Sequence, residues 1–263
     1  EAQRLLSGLW HLPNVSVESE TPPWLMPLGA EDCAALHGFG WLRALRAQGS
    51  ETAQALARGA VSSWLDRFDA WHGDSWAPVP LAERLTAWLG AFHFLAAGAD
   101  PRWQARVLDS LQRQSRHLAR VLPGEITGAD AIIAASALAF SGLCLADAHA
   151  GAAAGLSLLD AALAEQILPD GCHIERHPGS HLRVFQALVS LRAVLRETTN
   201  DVPGFIQIAI DRMAPMLRFF RHDDGSFALF NGMGPTAPDL IATILAYDDV
   251  RGEPISNASH SGY

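Results

Sequence analysis

The chain has 263 residues, 49% hydrophobic and 18% charged, which is enough apolar surface for a sizeable core and too little charge for a disordered segment. Its formal net charge is -9, from 19 Lys+Arg against 28 Asp+Glu, which argues against a protein that binds nucleic acid by neutralising phosphates. An acidic sugar ligand stays compatible, because a local basic cleft can sit on an acidic protein.

Helical periodicity dominates in chain order. From Glu31 to Arg46, residues Ala35, Leu36, Phe39, Leu42 and Leu45 fall on one face. Ser50 is a candidate N-cap for a helix reaching Trp71, with Ala57, Val61, Trp64, Leu65 and Phe68 at helical spacing. Pro80 opens a third helix through Leu95, and Asp100-Pro101 is a cap followed by proline at the first helical position. Further helices are expected over Asp130 to Ala148, Leu156 to Ile167, His181 to Arg196, Phe205 to Phe219 and Asp239 to Tyr247. The apolar stretch Ala129 to Ala146 is interrupted by Asp130 and small residues, so it reads as a buried helix rather than a membrane span.

The pattern amounts to about nine helices with mostly short connections, which implies antiparallel neighbours. Asp224-Gly225 between Phe219–His222 and Ser226–Phe230 signals a hairpin. The expected fold is all-α: one domain over 1–263 forming an incomplete (α/α) toroid of antiparallel helical hairpins, with a short β-hairpin near 218–231. Periodicity alone equally permits an irregular bundle. Cys33, Cys144 and Cys172 are far apart, without a CxxC pair, and leave both zinc binding and a disulfide framework unsupported and the compartment open. The chain begins with Glu1 and lacks a signal-peptide pattern, so it is expected to be a fragment.

Two segments concentrate polar chemistry. In Gln166–His181, the residues His173, Glu175, Arg176, His177 and His181 lie close together. Histidine moves protons near neutral pH, and arginine presents a planar fork that matches a carboxylate or sulfate. Such a set suits a substrate with a carboxylate beside an abstractable proton; the alternative is a solvated loop turned by Asp170-Gly171. A metal site on His173, His177 and His181 is disfavoured by Pro178-Gly179, which interrupts a common helix face. In Arg221–Gly234, His222 and Asn231 flank the expected hairpin and stand as neighbours across it. All eight tryptophans fall at or before Trp103; most are expected in the core, with Trp71 and Trp76, near loop ends, as candidate sugar platforms.

Leu36–Leu42 (with His37), Gln166–Gly171, Arg218–His222 with Phe230–Gly232, and His260–Tyr263 together resemble bacterial heparinase II/III family proteins. The resemblance runs from about Trp24 onward and rests on four motifs in order. It implies a helical toroid followed by a β-sandwich half, here absent, that the toroid would contact. It also implies β-elimination of uronate-containing polysaccharides: an amide neutralises the C5 carboxylate, and a Tyr or His removes the acidified proton. The sequence departs from the better-known lyases at two points. Their helix-opening Asn-His matches Gly128-Ala129-Asp130, and their Tyr-His matches Ser180-His181.

Three functions follow as expectations. In a lyase acting on an acidic polysaccharide or oligosaccharide, Arg176 binds the carboxylate, His177 or His173 is the base, and Asn231 or His222 assists. His181, Glu175, Trp71, Trp76 and His37 then contact substrate. The second function is an acidic-glycan-binding or assembly protein without turnover, motivated by the missing Asn and Tyr. The third is a toroid glycoside hydrolase pairing Asp170 or Glu175 with Asp224. None calls for a cofactor, a metal or a nucleic-acid partner.

Overall fold

A short helix, α1 (Ala2–Leu6), leads into a tight antiparallel ribbon of β1 (Leu9–His11) and β2 (Ser16–Glu18), with Trp10 opposite Val17. This ribbon, the regular two-stranded sheet of the described residues, carries too short an alternation to be read from sequence. The structure is a computed structural model and describes residues 1–146, 148–234, 238–246 and 257–263.

The helix expected over 31–46 is two helices, α2 (Ala30–Gly38) and α3 (Leu42–Gln48). Phe39 separates them in the left-handed region at φ 58°, fully buried, with its ring 5.5 Å from Trp24, 4.8 Å from Trp41 and 5.1 Å from Trp88. Aromatic packing of this kind holds a conformation that a non-glycine residue otherwise avoids. Helix α4 (Glu51–Phe68) starts at Ser50, whose side chain accepts the Ala53 N–H, and it ends before Trp71. The third expected helix also divides, into α5 (Pro78–Gly90) and α6 (Phe92–Ala96). Helix α7 (Pro101–Glu125) begins as the sequence predicts, with Asp100 accepting the Arg102 N–H at 2.7 Å.

Helix α8 (Gly128–Cys144) is the central element, buried along most of its length and packed against α5, α7, α9 (His149–Gln166) and α10 (Pro178–Thr198). Glycine lets α8 and α9 approach closely: a Cβ on Gly155 would collide with the backbone of Ala139, and one on Gly142 with that of Ala152. Helix α11 (Gly204–Phe219) packs on α10, and α12 (Pro238–Ala246) follows. Tyr247, the expected end of that last helix, lies outside the described residues. The described part of the chain is therefore mostly helical, with consecutive helices folded back on one another, as expected of an incomplete toroid. No helix among the described residues is long and apolar enough to cross a membrane.

Near 218–231 the chain reverses at Asp224-Gly225 with one antiparallel bridge, Arg221 to Phe227, rather than two long strands. The Asp224 carboxylate accepts from both the backbone N–H and the hydroxyl of Ser226, which fixes the turn locally.

Beneath the toroid's N-terminal part lies a buried cation. Arg84 is fully enclosed and donates to the Gln114 side chain and to the carbonyls of His37 and Ser75, with its guanidinium 4.1 Å from the Trp64 ring centroid.

Candidate functional site

The segment between α9 and α10 is the hub of the polar cluster. Its first part is a tight hairpin: Ile167 bridges His173, Leu168 N–H donates to Cys172 O, and Ile174 N–H donates to Gln166 O. Gly171 makes the turn at φ 86°, where a side chain would run into the Arg212 carbonyl of α11. Asp170 accepts the Cys172 N–H at 3.1 Å and the Ser261 N–H at 2.6 Å, joining this hairpin to the chain's last residues. Burial acts to raise the Asp170 pKa, but these hydrogen bonds outweigh it and hold the group below the usual aspartate value.

The three histidines share one arrangement. His173 accepts the Glu175 N–H on Nδ1, which leaves Nε2–H to donate to Gln166 Oε1 at 3.0 Å. His181 accepts the His173 N–H on Nδ1 and donates from Nε2–H to Met213 O at 3.0 Å. His177 is the N-cap of α10 and accepts the Ser180 N–H on Nδ1 at 3.0 Å. In each ring the Nδ1 lone pair is committed to a backbone amide, so the neutral tautomer carries its proton on Nε2. His173 and His181 are also fully buried. Expected as a base and as a substrate contact, His173 and His181 are enclosed, and their hydrogen bonds fasten the hairpin to α10 and α11. Burial pushes the His181 pKa down to about 4, against a partly restoring hydrogen bond to Met213.

Arg176 and Asn231 do converge. Both occupy the left-handed region, at φ 54° and 52°. Asn231 Nδ2 donates to Arg176 O at 2.7 Å, and the Tyr263 hydroxyl donates to the same carbonyl at 3.1 Å. Asparagine adopts this region readily, so Arg176 is the unusual one of the two, and its carbonyl is held by both partners. Tyr263 belonged to a recognised motif but not to the expected site; only the tertiary fold brings it to Arg176. Its ring packs against Phe230 and Phe219, and burial raises its pKa. His222 does not join this group. The reversal sets His222 against Ser226, so Asn231 is not its cross-strand neighbour, and His222 stays exposed on the turn.

Glu175 turns back to the opening of α8 and accepts the Ala129 N–H at 2.9 Å. Asp130, one residue on, pairs with Arg183 at 3.0 Å, and Arg183 also pairs with Glu83 at 2.8 Å. The helix start where the better-known lyases place an asparagine thus carries acidic side chains, and the nearby arginine is already neutralised.

Two further expected contacts are enclosed. His37 is 5% exposed, receives the Trp64 indole N–H and stacks on Trp24; burial, with Arg84 and His72 nearby, lowers its pKa to about 4. Trp76 is 5% exposed, with its indole N–H on Phe68 O, so it offers no open face to a sugar. Trp71, by contrast, is 70% exposed. It lines a cleft of about 640 Å³ together with Arg113, Arg116 and Arg120 of α7. That arginine row was legible as i, i+3, i+7 spacing on a helix but does not figure among the expected site residues.

Helix pairs folded back on one another, with a polar cluster built by their connecting loops, define the helical toroid class. The family model described as "Heparinase II/III N-terminus" matches residues 63–232, more than half the chain. The chain belongs to the heparinase II/III family, as its N-terminal domain. It is 33% identical over 236 residues to FtsZ-localized protein C of Caulobacter vibrioides, covering 87% of this chain and 39% of that protein. The crystal structure of heparinase III matches with a TM-score of 0.72 at 17% identity, over 92% of this chain and 42% of that one. The heparan sulfate lyase HepC of Pedobacter heparinus matches with a TM-score of 0.61 at 18% identity, over 87% and 39%. The chain thus spans about two fifths of each relative's length. The heparinase-like fold relates it at family level to polysaccharide lyases.

Proposed function

We propose that this chain is a helical domain that holds an acidic glycan without cleaving it by β-elimination. The observation carrying this reading is the commitment of the Nδ1 lone pairs of His173, His177 and His181 to backbone N–H groups. A base needs a free lone pair within reach of the substrate proton. The acidic opening of α8 supports the same reading, since Glu175 and Asp130 repel a uronate carboxylate from the place where an amide would neutralise it. Arg176 contributes an exposed cation beside Asn231.

Lyase activity is the second reading, favoured by the meeting of the Tyr263 hydroxyl, the Asn231 amide and Arg176 O. A hydrolase reading fits less well. Asp170, Glu175 and Asp224 all accept hydrogen bonds that hold their pKa values below the ordinary range, whereas a general acid needs a raised one.

The deciding experiment incubates the protein, alone and in its longer form, with a panel of uronate polymers. Binding and ultraviolet absorbance of unsaturated uronides are followed together. Binding without absorbing product is expected. Product formation that disappears in Tyr263→Phe would replace this reading with the lyase one.

A further inference from the structure

The cleft between the α4–α5 loop and α7 lies outside the histidine hairpin and calls for its own account. Arg113, Arg116 and Arg120 line one wall, on one helix face, in a chain of net charge -9. Arg113 is fixed by Asp69 at 2.6 Å. Arg120 Nε donates to Arg116 O, and among the described residues neither Arg116 nor Arg120 has a carboxylate within ion-pairing distance. Three arginines against one aspartate leave the cleft cationic. Trp71 lines the same cleft and is 70% exposed, although a large aromatic side chain normally buries its faces.

Both features suit a ligand that is flat on one side and anionic on the other. Four residues along α7, at 1.5 Å per residue, separate Arg116 from Arg120 by about 6 Å, on the scale of one pyranose unit. We infer that this cleft is a binding subsite for an acidic oligosaccharide, with a pyranose ring stacked on Trp71 and its carboxylate or sulfate groups on Arg116 and Arg120. A row of rigidly spaced guanidinium forks suits planar or tetrahedral anions at sugar spacing. The walls are a helix and a turn and offer no strand edge to an extended peptide, which is why a glycan is favoured over an acidic peptide. The inference rests on the acidic-glycan reading above and extends it to a second set of residues.

Trp71 is the most exposed indole in the chain, so its fluorescence reports occupancy directly. Titration of the 263-residue chain with a sulfated or uronate hexasaccharide is compared with a neutral hexasaccharide and an oligoglutamate peptide. The acidic sugar is expected to bind, change Trp71 fluorescence and weaken with salt. The double variant Arg116→Glu/Arg120→Glu should lose at least about tenfold in affinity, and Trp71→Ala should lose the signal and part of the binding measured calorimetrically. Both substitutions are at exposed positions, and an unchanged melting temperature verifies folding. Undiminished affinity in the double variant, with loss in Arg176→Glu, would overturn the cleft and leave the glycan reading standing. Oligoglutamate binding as tightly as the sugar would also overturn the cleft's assignment. Failure of the unaltered chain to bind any acidic sugar would sink the glycan reading itself.

Discussion

Glu175 caps helix α8 from 46 residues away: its carboxylate accepts the Ala129 N–H at 2.9 Å. The helix start has no side-chain cap of its own, since Thr127 at the N-cap makes no such bond. Replacing Glu175 with alanine should cost about 1 kcal/mol in urea denaturation at neutral pH, the usual worth of a cap. Burial acts to raise the Glu175 pKa, but the Ala129 N–H, the Ser180 side chain and nearby His173 and His177 bring it below the ordinary 4.5. A carboxylate with a depressed folded pKa stabilises above its unfolded value and loses that contribution as pH falls through the folded one. The gap between wild type and Glu175→Ala should therefore close as the medium is acidified below about 4.5. A gap independent of pH would show that the charge contributes nothing.

Arg84 lies in the core, has no carboxylate partner among the described residues, and is charged at neutral pH even though burial lowers its pKa to about 9. Three acceptors depend on it: Gln114 Oε1, His37 O and Ser75 O. Truncation to alanine removes the Trp64 contact, opens a cavity and leaves those acceptors unpaired, so a loss of about 3 kcal/mol or more is expected. Arg84→Lys retains the charge but not the planar fork, and should recover only part of that loss. Thermal melts of the two variants beside the parent chain test this; equal stability of lysine and arginine would refute a role for the fork geometry.

Local signals and tertiary ones divided as their physics dictates. Ser50 and Asp100-Pro101 mark real helix starts because a cap and a proline act within one turn. The break at Phe39 was hidden because its left-handed backbone is held by Trp24, Trp41 and Trp88, which come from distant segments. The polar density of 173–181 was plain in the sequence, but what its histidines do was not. Their Nδ1 atoms are committed to backbone amides that only the folded hairpin presents. The sequence set Asn231 beside His222, whereas its contact with the Arg176 carbonyl, the approach of Tyr263 and the Trp71–Arg116–Arg120 cleft all depend on how the helices are placed.

The α8–α9 contact predicts an unusual penalty for adding a methyl group. Gly155 faces the backbone of Ala139, with Ala135 O also close, and no flexible side chain can yield there. Gly155→Ala gains helix propensity, worth about 1 kcal/mol in an open helix. Overpacking against backbone outweighs that gain, so a net loss of about 1–3 kcal/mol is expected. Gly59→Ala in α4 is the control, because nothing lies within 4 Å of its Cβ position and the propensity gain should appear as increased stability. If both variants were stabilised in denaturant titrations, the close approach of α8 and α9 would be wrong.

Acid should weaken the fold through its buried histidines. His181 and His37 have pKa values lowered from 6.5 to about 4, by burial above all. His181 meets the Met213 carbonyl on one side and the His173 N–H on the other; Asp170 nearby favours its charged form, and His173 opposes it. Between about pH 6.5 and 4 the unfolded chain binds protons that the folded chain excludes, so the histidine contribution makes stability fall as pH falls through that window and itself levels off below it. His181→Asn can still offer an acceptor to the His173 N–H but cannot titrate. It should be less stable at pH 7 by about 1 kcal/mol for the lost bond to Met213 O. It should also lose less stability on acidification, because one of the excluded protons is gone. Urea midpoints measured across this pH range give both quantities, and parallel pH profiles for the two proteins would show that His181 is not excluded from protonation in the fold.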